Sequence, residues 1–263
     1  MSRRLALRSV ALLYLALLLV LPVGMIFWRT FEQGLAPVWE AATTPEALHA
    51  IWLTLLIALV AVPANTVFGI LCAFALVRSK APGRGIFNIL IDLPFTVSPV
   101  VVGLALLLVY GVDGWFGAPL MSLGVHVIFA LPGMILATVF VSLPFVVREV
   151  VPVLREIGTD QEEAASTLGA SPLRTFWQVT LPSIRWGVAF GVVLTTARAL
   201  GEFGAVSVVS GGIAGRTQTL TMHVEARFQE FDVVGTYTAS LMLALLALIT
   251  LVAMNLLASK EHA

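Results

Sequence analysis

The chain has 263 residues, of which 59% are hydrophobic and only 11% are charged. So little polar surface cannot cover a water-soluble fold, and the composition predicts a polytopic membrane protein. Fifteen basic and fifteen acidic residues cancel, so no charge bias points to nucleic acid. The single cysteine, Cys72, excludes an intrachain disulfide and a cysteine metal cluster, and its apolar surroundings indicate packing against lipid or core.

Six apolar stretches each reach the roughly 20 residues that a helix needs to cross the bilayer core. They cover residues 10–28, 51–77, 86–111, 126–147, 184–209 and 235–258. Lipid offers backbone groups no hydrogen bonds and the stretches lack the alternation of barrel strands, so we predict six transmembrane helices in one all-α domain, 1–263. The first stretch also follows three arginines, as a signal peptide would, but no cleavage-like triplet lies close to its end.

Lysine and arginine concentrate on one side of the predicted membrane. With the N-terminus inside, eleven of them fall in inner segments and three in outer segments, while Arg198 lies within a span. Cytoplasmic loops carry such an excess, so both termini and the loop 148–183, between the fourth and fifth spans, are predicted to be cytoplasmic.

Helix-breaking residues interrupt the third and fifth predicted spans. They are Pro94, Ser98, Pro99 and Gly103 in the third span, and Gly201, Gly204, Gly211 and Gly212 in the fifth. Breaks at membrane depth are tolerated where the freed backbone is buried in protein or lines a watery cavity, and free amides suit an oxyanion. The alternative is ordinary packing, because Gly and Pro are frequent in all membrane helices.

The loop 148–183 contains two short amphipathic pieces. Thr159 followed by Glu162 suggests a capping box, and Gly169 stands where a helix ends with positive φ. Ser171 and Pro172 then suit the start of a second piece, whose Leu173, Phe176 and Trp177 share one face before Leu181-Pro182 ends it. This predicts a rigid elbow that inserts into a groove on another protein, or an interfacial helix that lies on the lipid.

Charged residues inside the spans are candidates for function, because each costs at least about 2.5 kcal/mol in lipid. Arg198 and Glu202 are four residues apart on one predicted helix face and can pair. They either line a translocation path, together with Ser98, Pro99 and Gly204, or brace helix packing against a partner. Asp92, near the inner end of the third span, can reach the interface by extending its side chain.

The sequence lacks the signatures of an energy-converting or catalytic site. Neither lysine follows a glycine, so there is no phosphate-binding loop of the G-x-x-x-x-G-K type, and we expect no bound cofactor. There is no nucleophile elbow, metal cluster or paired carboxylate site, and the four histidines, His49, His126, His223 and His262, are expected to be exposed. These absences oppose an intramembrane enzyme, and the elbow opposes a self-sufficient channel or secondary carrier.

The pattern Glu163-Ala164-Ala165, Gly169 and Val179-x-Leu181-Pro182 resembles the EAA motif of bacterial ABC importer permeases, with valine in place of isoleucine. The resemblance implies the MetI-like fold of type I importers. It also implies that Glu163, Ala164, Ala165, Gly169, Leu181 and Pro182 form a coupling helix that docks on a separate ATPase subunit, where ATP and Mg²⁺ bind.

Two longer segments, 91–111 and 197–220, followed by Val224-Glu225-Ala226-Arg227-Phe228-Gln229-Glu230-Phe231-Asp232, look like the sulfate/thiosulfate permease subunits of the CysW type. Molybdate and tungstate permeases share only part of this pattern and are the alternative. The resemblance implies a bacterial inner-membrane protein that pairs with a second permease subunit in a heterodimer. It also implies two ATPase subunits and a periplasmic sulfate-binding protein.

The distribution of basic residues yields the first testable prediction. A reporter that is active only in the cytoplasm should be active when fused after Ser171, and so should one fused to either terminus. A fusion after Gly124, in a predicted outer segment, is the control and should be inactive. Activity only outside the cytoplasm after Ser171 would overturn the orientation.

Overall fold

The computed structural model describes residues 3–79 and 83–259, and all regular structure in these ranges is helical. Helix α1 is continuous through Arg3–Leu15, a π-helical turn at Ala16–Val20, and Leu21–Phe31. The next helices are α2 (Leu35–Ala42), α3 (Pro45–Val77), α4 (Arg84–Thr96), α5 (Pro99–Tyr110) and α6 (Gly117–Ser122).

The C-terminal half of the described chain repeats this alternation of long and short helices. They are α7 (Leu131–Glu156), α8 (Asp160–Thr167), α9 (Pro172–Leu200), α10 (Gly204–Ser210), α11 (Leu220–Gln229) and α12 (Val233–Ser259). Helix α9 contains its own π-helical turn at Phe176–Thr180.

Five of these helices, α1, α3, α7, α9 and α12, are long and apolar enough to cross a membrane. Helices α4 and α5 pass the same test together but are bent by 111° at the break between them. With the bent pair counted as one span, the described residues hold up to six spans, as the sequence predicts. The third span is nevertheless not a straight helix, because Pro99 excludes Ser98 from the helical region and Ser98 has ψ 135°.

The predicted boundaries of the fourth and fifth spans need correction. Helix α7 begins at Leu131 and runs to Glu156, and α9 begins at Pro172, so residues 148–183 are not one loop. Only residues 157–159 and 168–171 of that segment lie outside helices. Apolar runs mark contact with lipid, whereas a helix continues through the charged turns at its ends.

The expected helix end at Leu181-Pro182 is also wrong. The N–H of Leu181 bonds to the carbonyl of Phe176, five residues back, so the wider π-turn accommodates Pro182 without ending the helix. The same arrangement recurs in α1, where the N–H of Leu21 bonds to the carbonyl of Ala16 ahead of Pro22.

Helices α3, α7 and α9 pack together as the centre of the molecule. At their closest approach, Val146 of α7 lies between Gly69 of α3 and Gly191 of α9. A Cβ added at Gly191 would lie 2.8 Å from the Val146 Cα, and one added at Gly69 would lie 2.7 Å from the Val146 Cβ. Small residues of this kind let membrane helices approach closely.

Two apolar clusters lie on either side of this contact. One includes Leu53, Val102, Met134 and Val206 and joins α3, α5, α7 and α10. The other includes Cys72, Ile91, Val150 and Ile184 and joins α3, α4, α7 and α9. Cys72 is therefore part of the protein core and does not face lipid.

Gly191 provides a test of this packing. Gly191→Ala should destabilise the protein by about 1–3 kcal/mol, because the new methyl group collides with backbone of α7 that has no room to move. The measurement is the thermal unfolding midpoint in detergent. Gly24→Ala, in α1, is the matched control, since a Cβ there meets nothing within 4 Å. Equal midpoints for the two variants would contradict the close approach.

Candidate functional site

The elbow between α7 and α9 is built around a positive-φ glycine. Gly169 has φ +81°, its N–H bonds to the carbonyl of Ser166, and the Ala170 N–H bonds to that of Ala165. These two bonds form a Schellman motif, which ends α8 as predicted. A second prediction is also confirmed: the Ser171 hydroxyl accepts a hydrogen bond from the Arg174 N–H, and Pro172 is the first helical residue.

The predicted capping box, in contrast, is wrong. The Thr159 side chain does not cap α8, and its hydroxyl donates to Glu163 Oε1 at 2.7 Å. Glu162 instead turns toward the protein, where Oε1 accepts from the Thr180 hydroxyl at 3.0 Å and Oε2 lies 3.0 Å from Arg78 Nε. Glu162 thus joins α8 to the end of α3 and to the π-helical turn of α9.

Arg78 is the centre of this connection. Its Nη1 donates to the carbonyl of Leu154 at 3.2 Å, and its Nη2 donates to that of Gly158 at 2.5 Å. One guanidinium therefore binds the last turn of α7, the turn before α8, and Glu162 of α8. The side chains of Arg78 and Glu162 are only 18% and 21% exposed, so water weakens their attraction little.

The outer surface of the elbow is open and partly apolar. Glu163, Ala164, Gly169 and Pro182 are exposed, while Ala165 and Leu181 are half-buried. Leu168 (89%), Leu173 and Trp177 are strongly exposed as well. Phe176 departs from the predicted common face, because it packs edge-on against Phe74 of α3 at 5.6 Å. Exposed apolar side chains rimmed by polar residues are typical of a protein-docking surface.

The breaks in the third and fifth predicted spans meet in space. Gly204 begins α10 beside Pro99, which begins α5, and a Cβ on Gly204 would lie 2.9 Å from the Pro99 Cβ. Four residues on, a Cβ on Gly103 would lie 2.7 Å from the carbonyl oxygen of Ala205. Helices α5 and α10 therefore run parallel, with their first turns side by side and Ser98 exposed at the bend.

Arg198 and Glu202 lie beside this junction and form an ion pair. Arg198 Nη1 is 2.5 Å from Glu202 Oε2, so the predicted pairing is present. The prediction that both residues lie on one helix is wrong, because α9 ends at Leu200 and Glu202 lies beyond it. Glu202 Oε1 accepts a hydrogen bond from the Ala205 N–H at 2.8 Å, and so provides a partner for a backbone N–H in the first turn of α10. The Arg198 side chain is 29% exposed, whereas that of Glu202 is 2% exposed.

The ion pair of Asp92 and Arg148 was not anticipated from the sequence either. Asp92 of α4 does not extend alone to the interface; it pairs with Arg148 of α7, whose Nε donates to Asp92 Oδ1 at 2.7 Å. Arg148 Nη2 also donates to Asp92 Oδ2 and to Asn88 Oδ1. Asp92 and Arg148 are 56 residues apart in sequence, so no local pattern could predict that they pair.

The histidines differ from their expected exposure at two positions, His223 and His49. His223 of α11 is buried, and its Nδ1 lies 3.2 Å from Gln218 Oε1. Burial, with a smaller contribution from the Arg227 cation, lowers the pKa of His223. His126 is exposed, His49 is half-buried with Nε2 3.1 Å from the Arg216 carbonyl oxygen, and His262 lies outside the described residues.

Comparison with known proteins matches this architecture to one family. Residues 65–262 match the model of the inner membrane component of binding-protein-dependent transport systems. The chain belongs to this family. It is 52% identical over 256 residues to the sulfate transport system permease protein CysW of Synechococcus elongatus, covering 97% of this chain and 90% of that protein.

Two further comparisons extend the result. The sulfate transport system permease protein CysT of the same organism is 40% identical over 244 residues, covering 93% of this chain and 88% of that protein. The crystal structure of a bacterial alginate ABC transporter, in complex with its alginate pentasaccharide-bound periplasmic protein, contains a chain that superposes with a TM-score of 0.81. That match covers 97% of this chain and 93% of the other at 17% identity, and it shows that the fold is that of an ABC transporter permease.

The two adjacent glutamates of α8 test the structure of the elbow. Glu162→Gln should destabilise the protein by about 1–3 kcal/mol, because it weakens charge-assisted bonds to Arg78 and Thr180 away from bulk water. Glu163→Gln is the matched control and should change stability by less than about 0.5 kcal/mol, since Glu163 is exposed. The stability of both variants is measured by thermal unfolding in detergent and by the rate of protease cleavage within residues 157–171. A larger effect at Glu163 would refute this assignment.

Proposed function

We propose that this chain is the permease subunit of an ATP-driven importer that carries sulfate or thiosulfate across the bacterial inner membrane. Membership of the permease family and the relatives named for sulfate transport support the substrate class. The observation that carries the coupling role is the exposed elbow, held rigidly at one end of α3 by Arg78. A protein that transports by itself has no need of such a docking surface.

The proposed partners follow from the same features. Synechococcus elongatus has two sulfate permeases that are both similar to this chain, which supports a heterodimeric pore. Each permease elbow would receive one ATPase subunit, giving two, and ATP with Mg²⁺ would bind there. A periplasmic sulfate-binding protein would deliver the anion on the opposite side, as the alginate transporter structure has a periplasmic protein bound. This chain itself would carry no cofactor and catalyse no reaction.

The proposed orientation places the elbow and both termini in the cytoplasm, in agreement with the basic residues. Helix α3 has 33 residues and a length of about 50 Å, enough to span the whole bilayer. Arg78 meets the elbow just past its last residue, and His49 contacts the Arg216 carbonyl near its first. The elbow and the segment around Arg216 therefore belong on opposite sides of the membrane.

The junction of α5 and α10 is the proposed translocation path, with Ser98, Pro99, Arg198, Glu202 and Gly204. Arg198 is partly exposed at this junction and is the group that would attract a dianion. Glu202 is buried, caps α10 and holds Arg198, so its role is to position the arginine. The proposal thus divides the two roles that the sequence left open between the two residues.

Sulfate uptake by the reconstituted complex tests this proposal. Proteoliposomes are prepared with the ATPase, both permeases and the binding protein. They should take up labelled sulfate only when ATP is supplied on the side of the membrane where the ATPase is bound. Excess thiosulfate should compete, and excess molybdate should not. Competition by molybdate alone would assign the transporter to molybdate or tungstate, and uptake without ATP would indicate a channel or secondary carrier.

Gly169→Val tests the elbow within the same assay. A β-branched residue at φ +81° costs about 1 kcal/mol or more, so the end of α8 should distort and uptake should fall, with less ATPase co-purified. Gly124→Val is the matched control: its φ is +76°, a Cβ there also meets nothing within 4 Å, and it lies in a predicted outer segment. Glu163→Lys should weaken ATPase binding in the same way. Wild-type coupling in both elbow variants would refute the docking role.

A further inference from the structure

The cluster of Arg148, Asp92 and Asn88 has a feature that helix packing alone does not require. Asp92 binds the Nε and Nη2 edge of the Arg148 guanidinium, and Asn88 binds Nη2 as well. The remaining nitrogen, Nη1, has no acceptor in residues 3–79 or 83–259. The arginine is therefore held in a fixed orientation with an unused pair of N–H donors.

The exposure of the cluster indicates what it faces. The side chains of Arg148 and Asp92 are 34% and 35% exposed in the isolated chain. Arg148 lies eight residues before the end of α7, about 12 Å along the helix, within a candidate span. Charged groups at membrane depth face a watery cavity or another protein segment and not lipid.

The cluster also continues the junction already described. Asp92 precedes the bend at Ser98 by six residues on α4. Between them, Phe95 of α4 and Phe145 of α7 stack edge-on with ring centroids 5.3 Å apart. Along the seam between α4 and α7 the order is therefore the bend, an aromatic pair and then the ion pair, toward the elbow end of α7.

We propose that Arg148 is a second oxyanion-binding group on the translocation path, on the elbow side of the bend. This inference rests on the proposed import of a sulfate-like anion. Nη1 would donate to one oxygen of a tetrahedral dianion, while Asp92 and Asn88 position the guanidinium. The Asp92 carboxylate offsets the positive charge of Arg148, so that the anion binds weakly enough to leave.

Thiol labelling tests the aqueous exposure of this seam without any transport. In a Cys72→Ser background, Asn88→Cys should react with a charged, water-soluble methanethiosulfonate reagent in the assembled complex. Leu90→Cys is the control at the same depth, because Leu90 is an exposed apolar side chain two residues away. Reaction at position 88 alone supports the path. Reaction at both positions would mean interfacial depth, and reaction at neither would mean contact with a partner, and either result overturns the proposal.

Uptake kinetics test the anion contact. Arg148→Lys keeps the charge beside Asp92 but loses the guanidinium edge, so the complex should assemble with its ATP hydrolysis intact. The sulfate concentration for half-maximal uptake by the permease, at saturating binding protein, should not move, while the maximal rate should fall about tenfold. In the double variant Arg148→Gln/Asp92→Asn, the maximal uptake rate should fall by at least the same factor. Arg29→Gln, which breaks an exposed pair with Glu32, is the control and should transport normally.

The outcomes separate this inference from the proposed function. If wild-type proteoliposomes import no sulfate, the proposed function fails, whereas the labelling pattern at positions 88 and 90 still reports whether water reaches the seam. If the wild type imports sulfate and Arg148→Lys matches its maximal rate, Arg148 is not on the path. Loss of assembled complex in Arg148→Lys would assign it to packing and would equally overturn the proposal.

Discussion

The constraint on which this structure depends is that lipid cannot hydrogen-bond to a peptide group. It explains why the described chain is helical, and it also explains where the helices stop. Just after the bend at Ser98, the first turn of α5 packs against the first turn of α10, and the free amide of Ala205 is bound by the Glu202 carboxylate. Backbone is thus interrupted at membrane depth where another part of the protein covers it. Outside the membrane-spanning helices, at the elbow, the same need is met by a Schellman motif around Gly169.

Three arginines with acidic partners illustrate how one type of contact serves different purposes. Arg78 uses both terminal nitrogens on carbonyls and its Nε beside Glu162, so its donors are committed to joining helices. Arg148 and Arg198 each engage an acid while part of the side chain remains exposed. A committed arginine stabilises the fold, whereas we propose that a positioned arginine with an unused edge meets an anion.

Much of the fold could be predicted from the sequence because the signals are local. The apolar runs gave the number of spans, and the residues around Gly169 and Ser171 gave the end of α8 and the start of α9. The errors have non-local causes. The capping box failed because Glu162 finds Arg78, 84 residues away, in place of its own helix start.

The irregular turns form a second class of error. Leu181-Pro182 continues its helix because a π-turn precedes it, whereas the sequence pattern predicts a helix end at the proline. The bend between α4 and α5 was expected as an irregularity at Pro99, but its 111° angle depends on the packing of α5 against α10. Similarly, Asp92 had no visible partner in sequence, since Arg148 was assigned to a loop and not to a span.

The connections within the chain indicate how the elbow and the proposed path are related. Arg78 joins the elbow to α3 and α7, and Val146 locks α3, α7 and α9 together at Gly69 and Gly191. Arg148 lies only two residues beyond Val146, on the same rigid helix. Close-packed helices resist continuous deformation, so a force on the elbow would move these three helices as one body. Helix α4 is joined to that body through Asp92 and Asn88 as well as Ile91, and the seam that they share with α7 is where such a movement would change the surroundings of Arg148.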